Sequence, residues 1–198
     1  ITSHFPAMER DGYTVVAGIS LAKSDVVRLG RLANDHATPI FNYNGTTRYN
    51  DGRRLQWAIP ETDVALPMLR RQLQAAVGSS WPAGATARDW VVLRSAPRCQ
   101  AQHRHRDYDD AERRARVPMG AVVALQPGTK LDVWPGSHAP GVEPSGPPTS
   151  VAIPVGSALV FNGYLAHRGS AYTAANTRLH AYIDVPEVER RPDATHLC

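Results

Sequence analysis

A chain of 198 residues with 42% hydrophobic and 20% charged side chains has enough apolar material for one well-buried domain and is short for two. That composition excludes a disordered chain, and with Cys99 and Cys198 as the two cysteines it also excludes a disulfide-stapled scaffold. No run of about 18 apolar residues exists, which excludes a membrane-spanning helix.

The formal net charge is +4, and only Lys23 and Lys130 among the basic residues are lysines. The plain reading is a compositional bias on a solvated surface. A pI near 9.3 permits a nucleic-acid or other anionic partner without demanding it. Ile1 to Arg10 lacks the basic start and apolar core of a signal peptide, and neither cysteine has a CxxC partner. A reducing, intracellular (cytoplasmic) compartment is the expectation. The chain does not start with Met, so a mature form or an excised domain fits equally well.

In chain order, Gly12 to Ala17 reads as a short β-rich run. Ser24 offers an N-cap for a helix whose apolar stripe is Val26, Val27, Leu29, Leu32 and Ala33. Asn42 to Arg54 is polar, with Asn44-Gly45 and Asp51-Gly52 as turn dipeptides. A second helix fits Glu61 to Val77, with Pro60 at its start, Gly78 at its end, and Pro67 able to shift that start or kink it.

After Asp89 the texture changes to short β-type runs separated by Pro and Gly: Trp90–Leu93, Cys99–His105, Val117–Leu125, Leu131–Trp134, Val151–Val155, Ala158–Phe161 and Thr177–Val185. Such spacing predicts a sandwich or jelly roll and not a parallel α/β sheet. Two connections, Tyr108–Arg116 and Gly136–Ser150, read as mobile loops of the kind that act as lids.

Residues two apart on a strand share a face, so His105 and Asp107 can aim at one ion, with His103 on the same side. His167, beyond the turn at Asn162-Gly163, is the natural ligand from a second strand. Two imidazoles and a carboxylate on one face of an ion leave three positions open, which suits iron(II) binding a chelating co-substrate and dioxygen. Arg178 lies on the next strand and is expected to reach inward, with Leu179, Ala181 and Ile183 facing a helical layer. A buried guanidinium needs an anion, either a dicarboxylate chelating the metal or a local acid such as Asp184.

His105-Arg-Asp107, Trp134-Pro-Gly-Ser-His138, Pro154-Val-Gly156 with Phe161, His167-Arg-Gly169 and Arg178 together resemble, in order, the phytanoyl-CoA-dioxygenase-like oxygenases. The resemblance covers roughly residues 88–186. It implies an α+β chain with a mainly β core, a double-stranded β-helix (cupin-like jelly roll) flanked by N-terminal helices. As one domain over 1–198, the chain would have a helical and mixed part over 1–88 and a jelly-roll core over 89–186. The resemblance further implies His105, Asp107 and His167 as Fe(II) ligands and catalytic centre, and Arg178 as the residue binding the distal carboxylate of 2-oxoglutarate. Hydroxylation or oxidative demethylation of a small-molecule or side-chain substrate would follow, with release of succinate and carbon dioxide. Family members often carry a small hydroxyl residue two places after the distal histidine; here that place is Gly169, followed by Ser170.

Other readings stay open. His103-x-His105 is also a pattern of metal-binding cupins outside the oxygenases, so a binding module without oxygenase chemistry is one alternative, and an oxygenase acting on nucleic acid is another. His138 is read as anchoring its own turn and His180 as an interior hydrogen-bonding group. Arg168 is expected to point away from the metal side, and Arg94 to reach substrate or co-substrate. Gln100 and Gln102 receive no firm role.

Overall fold

The computed structural model describes residues 6–40, 52–109, 113, 115–188, 190 and 196–198. In chain order these form α1 (Pro6–Asp11), β1 (Tyr13–Ala17), α2 (Lys23–His36), β2 (Thr38–Pro39), β3 (Arg54–Ala58), α3 (Leu66–Val77) and a 3-10 turn at Gly78–Ser80. Then follow β4 (Thr86–Ser95), β5 (His105–Arg106), β6 (Met119–Ala124), β7 (Lys130–Val133), β8 (Thr149–Ala152), β9 (Ser157–Asn162), β10 (His167–Gly169), β11 (Asn176–Asp184) and β12 (His196–Leu197). The strands make two antiparallel sheets, a seven-stranded one ordered β1-β9-β6-β11-β4-β3-β2 and a five-stranded one ordered β12-β5-β10-β7-β8. This is the expected double-stranded β-helix core with few helices.

The period of two along the strands divides the core into two layers. Ala121, Val123, Ala158, Val160, Leu179, Ala181 and Ile183 face outward and pack under the helices, where Leu29 and Ala33 of α2 and Leu66, Leu69, Leu73 and Val77 of α3 meet them. Val122, Ala124, Leu159 and Phe161 face inward, against Leu131, Val133 and Leu165 of the opposing side. Strands β6 and β9 are thus covered on both faces, which explains their unbroken apolar sequences. Truncating one of the fully buried leucines to alanine costs about 2–5 kcal/mol by transfer and cavity terms together.

Several boundaries differ from expectation. Helix α2 begins at Lys23 behind Ala22, so Ser24 lies inside the first turn and caps nothing. Of its expected stripe only Leu29 and Ala33 are buried, whereas Val27 is exposed. Helix α3 starts at Leu66 and not at Glu61, with Pro67 in its first turn, where a missing N–H costs least. Gly78 ends it with φ 58°, as its position predicted. Strand β3 arises at the edge of the segment read as turn. Asn44-Gly45 and Asp51 lie outside the described residues, as do 110–112 and 114 of the charged connection. The expected strand Cys99–His105 shrinks to His105–Arg106, preceded by irregular backbone in which Cys99 bridges Tyr172.

The connection 136–150 is not a loose lid. Trp134 Nε1 donates to Gly146 O at 2.9 Å, Arg104 Nη1 to Pro144 O at 2.7 Å, and Arg106 Nη2 to Val142 O at 3.1 Å and Ser137 O at 3.3 Å. These bonds fasten it to the small sheet.

Candidate metal centre

The turn after β9 sends the chain back into the small sheet. Asn162 closes it by accepting from Tyr164 N through its side chain and from Leu165 N through its carbonyl. A Cβ at Gly163 would stand 2.3 Å from the Tyr108 ring, so glycine is required at this close approach. The chain re-enters as β10, between β5 and β7, with His167 directly opposite His105. Asp107 follows β5 immediately, and the donor atoms of His105, Asp107 and His167 all lie within 4.8 Å of one another. All three side chains are buried.

Each imidazole is oriented by backbone. His105 Nδ1 lies 2.8 Å from His103 O, and His167 Nδ1 lies 2.9 Å from Leu165 O. A carbonyl can only accept, so both Nδ1 atoms carry a proton, and each Nε2 presents a lone pair when its ring is neutral. His167 Nε2 is 3.5 Å from Asp107 Oδ1, and His180 Nε2 is 3.5 Å from Asp107 Oδ2. Among the described residues no hydrogen bond satisfies Asp107 Oδ2. A buried carboxylate oxygen without a donor, beside two imidazole lone pairs, fits a hard or borderline cation. Phe161 packs its ring 4.6 Å from that of His167 and holds it from below.

Electrostatics agree with the geometry. Burial pushes His105 down to about 3, aided by the neighbouring His167, so it is neutral at ordinary pH. Burial works to raise Asp107, but the His167 and His180 imidazoles outweigh it and hold the carboxyl well below its usual range. Burial works to lower His167, and the Asp107 carboxylate outweighs it, so His167 is raised.

The three side chains line a cavity of about 270 Å³. Its wall on the large sheet includes Val91, Leu93, Val122, Arg178, His180 and Tyr182, and its other side includes Gln102, Leu131 and Gly169. Arg178 is 1% exposed. Its Nη1 donates to Ser95 Oγ at 3.1 Å, its Nε has no partner among the described residues, and its guanidinium lies 5.1 Å from the Tyr172 ring centre. Burial pulls its pKa down. Asp184, the local acid considered as its partner, instead accepts from Tyr108 Oη at 2.5 Å and lies near Arg88 and Arg190. Among the described residues no carboxylate pairs with Arg178.

The remaining expectations divide. His180 sits inside beside Asp107, as expected. Arg168 points away from the metal side, to Asp132 at 3.1 Å. His103 is exposed and outside the cavity, because the backbone before His105 is not a strand and period two does not apply; its carbonyl serves the site instead. His138 ties down the N-terminal helix through Glu9 O at 3.1 Å and not its own turn. Arg94 alternates with Leu93 and does not line the cavity. Sequence reasoning passed over Arg54 and Ser95. Arg54 is 5% exposed and donates to Gln100 O, Gly169 O, Ser170 O and Ser95 Oγ, stitching β3 to the segments carrying the site. Its signal was the strand-like Arg54-Leu-Gln-Trp-Ala58 that follows the turn.

No family model and no curated sequence matches this chain. Among solved structures it is similar to AviO1 from Streptomyces viridochromogenes, at 17% identity and TM-score 0.66 over 94% of this chain and 95% of that one. A Pseudomonas putida prolyl-4-hydroxylase matches at 19% identity and TM-score 0.57, over 93% and 95%. HygX from Streptomyces hygroscopicus, a structure with nickel, 2-oxoglutarate and hygromycin B bound, matches at 14% identity and TM-score 0.63, over 90% and 85%. These likenesses show the fold: the chain is a double-stranded β-helix of the kind found in 2-oxoglutarate-dependent oxygenases, and it carries a converging His-Asp-His set on that frame.

Proposed function

We propose that this protein is an Fe(II)- and 2-oxoglutarate-dependent dioxygenase that hydroxylates, or oxidatively demethylates, a small molecule or a side chain inserted into the cavity. The observation that carries the reading is the convergence of His105, Asp107 and His167 in the same cavity as Arg178, a buried guanidinium that pairs with no carboxylate among the described residues. Iron bound there would supply oxygen activation coupled to decarboxylation of the keto acid to succinate. The chain's own residues do the rest. His105, neutral, His167, which gives up its extra proton when a metal binds, and Asp107, held ionised, offer one face of ligands and leave the opposite face open. Arg178 binds the distal carboxylate and fixes the direction in which the co-substrate enters. Val91, Leu93, Val122 and Leu131 keep the space dry. The finer placement among phytanoyl-CoA-dioxygenase-like enzymes rests on the motif order from His105 to Arg178.

The test is anaerobic addition of Fe(II) and 2-oxoglutarate, followed by oxygen and measurement of succinate. A visible charge-transfer band is expected that Arg178→Ala abolishes, and succinate release that Asp107→Ala abolishes. Metal binding with neither band nor succinate would overturn the oxygenase reading in favour of a metal-dependent binding module.

A further inference from the structure

We propose that the substrate of this cavity carries a guanidinium group, and that the face of Tyr182 beside Asp89 is the subsite that holds it. The proposal rests on the oxygenase reading above, whose substrate it names. Tyr182, Asp89 and Arg190 line the same cavity as His105, Asp107 and His167. Strand β11 links the two regions. His180 Nε2 lies 3.5 Å from Asp107 Oδ2, and the Tyr182 ring stands 4.6 Å from that of His180. His180 is thus the ring between Tyr182 and a metal ligand.

The subsite already contains a guanidinium, the chain's own. Arg190 belongs to no helix or strand, yet its side chain is 4% exposed and its guanidinium lies 3.5 Å from the centre of the Tyr182 ring. Its Nη2 donates to Asp89 Oδ2. Its Nε stops 3.5 Å from Asp184 Oδ1 and makes no hydrogen bond among the described residues, because that oxygen accepts from Tyr108 Oη. An aromatic face with a carboxylate at its edge recognises a flat cation. Arg190 fills this place without completing its hydrogen bonds.

Irregular backbone puts Asp89 there. Between the pairs Val91–His180 and Arg88–Tyr182, two residues of β4, Asp89 and Trp90, stand against Ala181. In this bulge Asp89 takes φ 49°. Away from the metal ligands and Arg178, the charged residues described along the cavity are Glu61, Asp89 and Arg190. Glu61 accepts from Arg70, which does not line the cavity. Moving Arg190 out leaves two carboxylates on the wall, so the group that replaces it is positive. Exchanging one guanidinium for another leaves no ion stranded. Arg190 is then an internal competitor that marks the site's chemistry.

Butylguanidinium and butylurea, its neutral isostere, test this by calorimetry on protein loaded with Mn(II) and 2-oxoglutarate. Arg190→Ala should bind butylguanidinium about tenfold or more tighter than wild type does, since the arginine keeps the open fraction small. The same variant should prefer the cation to the urea by about tenfold or more, and adding Asp89→Asn should remove that preference. If Arg190→Ala does not fold, Mn(II)-induced line broadening in wild-type protein decides: the methyl resonance of butylguanidinium should broaden more than that of butylurea. N-Acetylargininamide identifies the source of the group, an arginine side chain if it binds as tightly as butylguanidinium and a small guanidino compound if it binds more weakly. Equal affinities or equal broadening for cation and urea, or an Arg190→Ala protein no tighter than wild type, would overturn the guanidinium subsite while leaving the site reading intact. Protein that takes up Mn(II) but no 2-oxoglutarate would bring down the site reading and the substrate proposal with it.

Discussion

Replacing Arg178 with methionine separates a residue kept for stability from one kept for a ligand. In the ligand-free protein the guanidinium is buried, has one side-chain hydrogen bond to Ser95, and faces Tyr172 at 5.1 Å. Losing the hydrogen bond costs about 0.5–1.5 kcal/mol, and losing the ring contact costs about 0.5–2 kcal/mol. Against this, removing a buried charge with no counter-ion among the described residues relieves a desolvation penalty of several kcal/mol. The balance favours the variant by about 1 kcal/mol, a rise of about 2–4 °C in melting temperature for a chain of this length. Wild-type protein with Mn(II) and 2-oxoglutarate at about 100 times Kd should gain about 2.7 kcal/mol, and the variant should gain nothing beyond the metal's own contribution. Thermal melts of both proteins, with metal and with or without 2-oxoglutarate, read both effects. A ligand-free Arg178→Met protein that melts more than about 5 °C below wild type would refute the argument, because the arginine would then be structural. A retained 2-oxoglutarate shift would refute it as well.

Metal affinity should depend on pH through His167. Asp107 raises its pKa above 6.5 in the metal-free protein, so the protonated pair stabilises that form fully below 6.5, and this contribution is lost as pH rises through the raised value. A metal must displace that proton, so Mn(II) affinity should climb about tenfold per pH unit until His167 is neutral, whereas His105, already neutral above about 3, adds no slope. Calorimetric titration between pH 6 and 8 measures it, and a flat profile would contradict the proton count. Gly120→Ala would place a Cβ 2.3 Å from Phe161 Cζ, costing about 1–3 kcal/mol of stability. Because Phe161 packs on His167, a weaker Mn(II) affinity should accompany the lower denaturation midpoint; loss of stability with metal binding unchanged would show the two rings to be uncoupled.

The jelly-roll frame was legible because β6, β9 and β11 carry apolar runs of strand length bounded by Pro and Gly. His105, Asp107 and His167 were legible because their residue types and spacing across two strands narrow the chemistry. His103 misled because period two was applied to backbone that is not extended. Arg54 and Ser95 were hidden for a different reason. Their partners are backbone carbonyls and a hydroxyl 41 or more residues away in sequence, and nothing in a local pattern announces such pairing. Gly169 looked like the loss of a contact, but a Cβ there would stand 2.4 Å from Gln102 Oε1, so the neighbouring segment fills that space.

The abundance of arginine acquires a structural meaning from the shortness of β5. A two-residue strand leaves many neighbouring carbonyls without a ladder partner, and guanidinium groups act as brackets across them. Arg54 grips Gln100, Gly169 and Ser170, Arg106 grips Ser137, Val142 and Tyr164, and Arg104 grips Pro144 and Cys198. A lysine at any of these places would keep the charge and reach one or two of the oxygens with a single nitrogen. Counting such residues toward a surface field therefore overstates it, since at these three positions the cation is masonry of the irregular segments around the metal centre.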